Sequence, residues 1–194
     1  MKSEIQPTLF AVGALIVCGG EFAAVTEENT SRKSVKIAGQ QTHPMETIED
    51  FDKDDSATLC RACKEEVKLI INPENFVLLN SVETRPSVEL RNYFVNISAK
   101  DLVGRGEFID EVSPVEWLPL QEVISSKGSL RFRPGVFETV SDYMRLQSNP
   151  SNFKPGEYGH TDLVDQIPSE VYGLVDSGVN GKEAVFRWLH QRQP

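Results

Sequence analysis

The order of periodic segments predicts an α/β fold, a mixed sheet covered by helices on both faces and followed by a helical C-terminal extension. Three observations carry this. An apolar run at Thr8–Val17 breaks at Gly19-Gly20 and resumes over Glu21–Thr26, which is the pattern of a strand, a glycine turn and a second strand. A helical period follows over Ala57–Ile71, and β-rich segments return at Phe76–Val82 and Leu90–Ile97. Strands, helix, strands and helix in that order suit a layered sheet sandwich.

Taken along the chain, Ser34–Ile37 reads as another short strand, and the acidic stretch Ile48–Ser56 as a solvated loop. Asp55 or Ser56 is placed to cap the next helix, whose buried stripe is expected to be Cys60, Cys63, Val67 and Ile70, with Pro73 as its stop. Arg85-Pro86-Ser87 separates the next two strands as a hairpin turn, and Phe108–Leu118 holds a further strand. Pro119–Ile124 starts a short helix, and Val136–Leu146 a longer one with Val136, Val140, Tyr143 and Met144 spaced for burial. Asn149–Gly159 has the composition of a linker, and Ile167–Val175 and Lys182–His190 read as two final helices. Val185, Phe186 and Leu189 lie on one side of the last, with Trp188 beside them and expected to pack back onto the domain. The domain reading is residues 1–147 as one unit and 148–194 as linker and extension.

Composition sets limits on function. The 194 residues carry a net charge of -9, which argues against general nucleic-acid binding because phosphate backbones reward clustered Lys and Arg. A nucleotide substrate stays open, since a divalent cation can bridge carboxylates to phosphates. The run Leu9–Cys18 is too short to span a bilayer and Glu4 sits where a signal peptide is basic, so no membrane association and a cytoplasmic location are expected. Three cysteines give no disulfide framework. Cys60 and Cys63 form a CxxC, but with no second pair to complete a zinc site, core packing is the reading.

The chemistry-bearing stretch is Ala38-Gly39-Gln40-Gln41-Thr42-His43-Pro44-Met45-Glu46-Thr47, followed by Arg61-Ala62-Cys63-Lys64-Glu65-Glu66-Val67-Lys68-Leu69. It resembles the box of the Nudix hydrolase family, written GX5EX7REUXEEXGU with U a bulky aliphatic. Glu46, Arg61, Glu65, Glu66 and Leu69 match motif positions. Val115-Glu116-Trp117-Leu118-Pro119-Leu120 is similar to a strand and helix start frequent in the family, and the resemblance covers roughly Thr8–Leu146. It implies a Nudix-like α/β/α sandwich and a pyrophosphohydrolase that uses Mg²⁺ or Mn²⁺ on a nucleotide-type substrate.

Within that resemblance, Glu65, Glu66, Glu111 and the main-chain carbonyl of Gln40 are the expected metal ligands, with Glu107 second to Glu111. Arg61, Glu65, Glu66 and Glu46 form the expected catalytic set, Glu46 orienting Arg61. On a helix, positions 62, 65, 66 and 69 are expected to share one stripe, and Glu65 lies one turn from Arg61 and can pair with it. Arg131 and Arg133, two apart on an extended segment, project to one side, where holding a phosphate and a surface or structural role are both open. His43 lies in the motif loop, where approach to substrate and simple solvation are both open. The family pattern permits a homodimer.

Five departures from the motif bear on activity. Ala62 stands where the motif has a glutamate that in several members binds metal or acts as base. Lys68 and Gln40 replace glycines, and Met45 takes a loop position that is usually glycine. Fourteen residues lie between Glu46 and Arg61 where the motif has seven, an insertion of about the Ile48–Asp55 loop. Lengthening a surface loop costs little, about 0.6 kcal/mol per doubling. Asp54 or Asp55 is a remote candidate to replace the missing base. The alternative to an active hydrolase is a catalytically impaired Nudix-fold protein that binds a nucleotide or protein partner.

Overall fold

The first strand alternates strictly, and that alternation builds both cores. In the computed structural model, which describes residues 9–85, 88–98 and 115–191, β1 (Leu9–Cys18) sends Val12, Ala14 and Ile16 to one face and Leu15 and Val17 to the other. Period-two alternation of apolar residues on both faces is the signature of a central, doubly covered strand. β1 runs parallel to β6 (Val88–Asn96) from Leu9↔Val88 to Val17↔Asn96. Its other edge is shared. The C-terminal end pairs antiparallel with β2 (Glu21–Thr26), and the N-terminal half with the short β4 (Met45–Thr47).

The sheet is completed by β3 (Gln41–Thr42) outside β2, by β5 (Val77–Arg85) outside β6, and by β7 (Glu116–Pro119) paired with β2. An eighth strand, β8 (Tyr158–His160), adds in parallel to β5. The segment with the composition of a linker therefore supplies an edge strand. Three residues of extended pairing leave too short a pattern to separate from a Pro/Gly-rich loop. Ser34–Ile37, expected as a strand, is a turn closed by a Ser31↔Lys36 bridge.

One face is covered by α1 (Asp55–Glu66), whose Leu59 and Cys63 pack on Val12, Ala14 and Ile16. The other is covered by α2 (Leu120–Ser125) and α3 (Val136–Ser148), through Val123, Val136, Val140 and Tyr143. Burying each such side chain fully contributes about 1.5–3 kcal/mol. A third cluster joins α4 (Ser169–Asp176) and α5 (Gly181–His190) to Ile37 and Leu130, with Trp188 packed against it as expected. On α5 the buried positions are Gly181 and Ala184, while Phe186 turns outward, 55% exposed, against the His190 ring. No helix among the described residues is long and apolar enough to cross a membrane.

The α1 boundaries differ from those the periodicity predicts. Asp54 is the N-cap, its carboxylate accepting from the Ala57 N–H, and the helix ends at Glu66. Pro73 is not the stop. Lys68 takes φ +55°, and the Leu69 N–H then donates to the Cys63 carbonyl at 2.9 Å. That left-handed step turns the next two side chains around: Leu69 is buried and Ile70, expected in the core stripe, is 87% exposed. Ala62 is fully buried too, so it belongs to the packed face and not to an outward stripe with Glu65. Cys63 is a core cysteine, with its thiol pushed up to about 12 by burial; Cys60, expected in the same stripe, is only half-buried and donates to the Ile71 carbonyl.

The Lys68 conformation explains why the motif has glycine there. A left-handed residue with a Cβ costs about 1–2 kcal/mol, of which glycine's greater freedom in the unfolded chain would take back about 0.5–1 kcal/mol. Lys68→Gly is expected to stabilise the protein by about 0.5–1 kcal/mol. Urea denaturation with an unchanged m-value reads this directly, and a loss of stability would show the Lys68 side chain to matter more than its backbone.

Candidate active-site cleft

Because β2 and β4 share one edge of β1 at opposite ends, they diverge and leave a cleft between them. Two adjoining cavities, about 350 and 340 Å³, occupy it and share Lys36, Met45, Glu46 and Arg133 in their walls. The first has an apolar side of Ala11, Met45, Val88 and Leu90, with Lys33 at its margin. The second is walled by Glu27 and Glu28 beyond β2, by Glu46 of β4 and by Glu66 of α1. Helix, strand and loop thus bring carboxylates and cations from distant parts of the sequence to one groove.

Glu66 is the most perturbed group there. Burial, then the like charges of Glu46 and Glu27, push its pKa up to about 8, while Arg133 and a backbone bond from Met45 pull the other way. Glu27 is held by two cations, Lys36 Nζ at 2.6 Å on Oε2 and Arg133 Nη1 at 2.7 Å on Oε1. Arg133 also donates to the Ser34 carbonyl. Neither Glu27 nor Lys36 is singled out by any local pattern in the sequence; the β2–β4 divergence is what places them.

Arg61 holds Glu46 as expected, Nη1 to Oε2 at 3.4 Å. Its closer partner is Asp52, at 2.8 Å from Nη2, and the Thr47 carbonyl accepts from the same nitrogen at 3.2 Å. The Asp52 carboxyl is drawn down to about 2, first by the Arg61 hydrogen bond and then by the Glu49 backbone amide. The inserted acidic loop is therefore not merely solvated. Folding back, it supplies the carboxylate that locks Arg61, and Phe51 lies with its ring 5.4 Å from the guanidinium. Glu65 is exposed and adds only longer-range attraction to Arg61.

Other expected site residues fall elsewhere. Gln40 is buried in the β2–β3 ladder. Its carbonyl accepts from the Glu27 N–H at 2.8 Å, and its side chain donates to the Leu130 and Phe132 carbonyls. Glu111 and Glu107 lie outside the described residues. Arg131 does not share a cavity with Arg133: it pairs with Gln41 and Glu122 and lines a separate pocket beside α5. The segment carrying them bonds through its backbone to both sides of Gln41, yet the two side chains take different partners. Asp54 is spent on capping, and Asp55 on Arg91 and the Tyr93 hydroxyl. His43 is neither at the cleft nor in solvent but fully buried, its Nε2 bonded to Asn92 at 2.9 Å, and burial lowers its pKa to about 4.

Among the described residues, no three His, Cys, Asp or Glu side chains are grouped tightly enough to enclose a metal ion. The chemistry of the donor set still suits a hard cation. Glu27, Glu46 and Glu66 offer only carboxylate oxygens, and their mutual repulsion is of the kind a divalent ion relieves.

No protein-family model matches the sequence, and no curated protein matches it. Solved structures do. The chain is similar to the NUDIX domain of Shewanella oneidensis NrtR, solved in complex with ADP ribose, at 17% identity and a TM-score of 0.53, covering 78% of this chain and 94% of that one. A NUDIX hydrolase from Nitrosomonas europaea matches at 12% identity and 0.54, covering 81% and 80%. The MutT protein from Methanosarcina mazei matches at 18% and 0.51, covering 76% and 98%.

The raised Glu66 and lowered His43 have separable signatures in stability. A carboxyl whose folded pKa lies above its unfolded 4.5 loses stability as pH rises from 4.5 towards 8. A histidine held at about 4 instead of 6.5 gains stability as pH rises over 4 to 6.5, and is silent above. Between pH 6.5 and 8 the Glu66 slope should stand alone, at about 1–2 kcal/mol in total. Urea unfolding across that interval should show the decline in the wild type and little of it in Glu66→Gln; a flat wild-type curve would place Glu66 in ordinary solvent contact.

Proposed function

We propose, from the premise that this chain has the Nudix fold, that its cleft hydrolyses a diphosphate linkage in a nucleoside-diphosphate-type substrate with Mg²⁺ or Mn²⁺. The observation that carries this is the convergence of Glu27, Glu46 and Glu66 with Lys36 and Arg133 in one groove. That mixture of charge suits a polyanion together with a divalent cation.

In this reading Glu66 and Glu46 face the cation, with Glu65 and Glu111 as further ligands contributed by the motif helix and the segment before β7. When bound, the cation neutralises the diphosphate and lowers the pKa of an attacking water. Water adds to one phosphorus, the bridging P–O bond breaks, and two phosphate monoesters leave. Lys36 and Arg133, now shared by the Glu27 carboxylate, are positioned to take phosphate oxygens instead, the arginine by a fork of parallel bonds. Arg61 holds Glu46 on the cleft wall, and Asp52 holds Arg61. The apolar side made by Ala11, Val88 and Leu90 offers a surface for the nucleoside.

A second reading, a Nudix-fold protein that binds nucleotide without turning it over, is favoured by one observation. Position 62, where the motif has a glutamate, is a fully buried alanine. One panel separates the two: ADP-ribose, NADH, dinucleoside polyphosphates and nucleoside triphosphates, each with Mg²⁺ or Mn²⁺ titrated, with binding measured on the same sample. Hydrolysis is expected with at least one, and Glu66→Gln should reduce kcat about 10²-fold or more. Binding without turnover by folded protein selects the second reading, and neither binding nor turnover rejects both.

A further inference from the structure

Two asparagines face each other in the middle of the sheet, Asn80 on β5 and Asn92 on β6, both fully buried. Asparagine is disfavoured in strand interiors, and a buried amide needs partners for each of its polar atoms. Here the partners form one chain of hydrogen bonds. His160 Nε2 on β8 donates to Asp142 Oδ2 on α3 at 2.6 Å, and Asn80 Nδ2 donates to the same oxygen at 2.8 Å. Asn92 Nδ2 donates to Asn80 Oδ1 at 3.0 Å, and His43 Nε2 meets Asn92 Oδ1 at 2.9 Å.

The chain has only one direction. A carboxylate accepts and cannot donate, so Asn80 must turn its NH₂ to Asp142 and its oxygen to Asn92. Asn92 is thereby turned with its oxygen to His43, and His43 must carry its proton on Nε2. Nδ1 of that ring is buried with no hydrogen-bond partner, so no second bond competes for the tautomer. Space for the junction comes from Gly13 on β1, where a Cβ would lie 2.5 Å from Asn92 Oδ1 and 2.6 Å from His43 Nε2.

His43 begins the turn into β4. Behind it, the Pro44 carbonyl accepts from the Ala14 N–H at 2.9 Å, Met45 bonds through its backbone to Glu66, and Glu46 meets Arg61. We propose that Asn92, oriented by Asn80 and Asp142, is a positioning residue for the cleft: it fixes His43 as the Nε2–H tautomer and so sets the turn that places Met45 and Glu46. His160 makes β8 the outer end of that device, so a segment beyond the motif helps to hold the cleft. The inference about the turn stands on geometry alone; its kinetic consequence rests on the hydrolysis proposed above.

Imidazole and amide NMR on the full chain tests it. At pH 7 His43 should give one neutral Nε2–H tautomer with that proton slow to exchange; an Nδ1–H tautomer or a charged ring overturns the proposal. Asn92→Leu should lose the slow proton and shift the Met45 and Glu46 amides, whereas Asp142→Asn, which keeps the acceptor oxygen, should retain the wild-type His43 signals. Unmoved Met45 and Glu46 amides in Asn92→Leu overturn the positioning role. If that variant does not fold, Asp142→Leu puts the same question from the α3 side. On a substrate found to turn over, Asn92→Leu should lower kcat about tenfold or more with KM changed less than about twofold; unchanged kcat overturns the kinetic consequence. A wild type that hydrolyses nothing fails the functional reading, while the spectra still decide the positioning.

Discussion

The structure depends on the two edges of β1. One edge is committed over its whole length to parallel pairing with β6, which fixes the strand in the centre of the sheet. The other is divided between β2 and β4. Strands that share an edge end to end must part company, and the groove so formed is bounded by whatever those strands and their following loops carry. Glu27 and Glu46 face each other for that reason, although nineteen positions separate them in the sequence. α1, packed against Val12, Ala14 and Ile16 of the same strand, closes the groove with Glu66.

Bringing like charges together this way is costly unless opposite charge is nearby, and the cleft shows both halves of that balance. Glu27 is neutralised by Lys36 and Arg133, and Glu46 in part by Arg61. Glu66 has no comparable ion pair among the described residues, and burial first, then the like charges of Glu46 and Glu27, hold its proton up towards neutral pH. Groups perturbed in this way by burial and like charge cluster at functional sites. The negative chain as a whole makes the local clustering of Lys33, Lys36 and Arg133 more notable, since no general excess of basic residues produces it.

Much of the fold is legible in the sequence because apolar periodicity and glycine turns are local signals: the β1–β2 hairpin, the β5–β6 pair, α1, α3, α4 and α5 all lie close to where the pattern puts them. The departures are of another kind. Lys68 ends α1 by adopting a left-handed conformation that its residue type does not announce, and this reverses the expected exposure of Ile70 and Leu69. Helical spacing alone puts Ala62 on a stripe with Glu65 and Glu66, but position 62 is equally one turn from Leu59 and next to Cys63, and packing against the sheet side decides for burial. In the candidate site, the Arg61–Glu46 pair is readable from motif spacing. Glu27, Lys36 and the split of Arg131 from Arg133 depend on β2, β4 and a loop meeting in space, and no window of sequence contains that information. His43 shows the same limit, because its burial follows from Gly13 and Asn92, thirty and forty-nine residues away.

The insertion between Glu46 and Arg61 also reads differently in three dimensions. A lengthened loop that only bulged into solvent would leave Arg61 with Glu46 as its sole close carboxylate. Instead Asp52 returns to the guanidinium at a shorter distance than Glu46 reaches, and the Thr47 carbonyl takes the same nitrogen. Arg61 is thus anchored by the loop that separates it from Glu46, and its hold on Glu46 is the longer of the two. The motif's arginine-to-glutamate link has become a three-part arrangement in which the inserted segment carries the stronger contact, and the closing of that loop fixes the wall of the cleft.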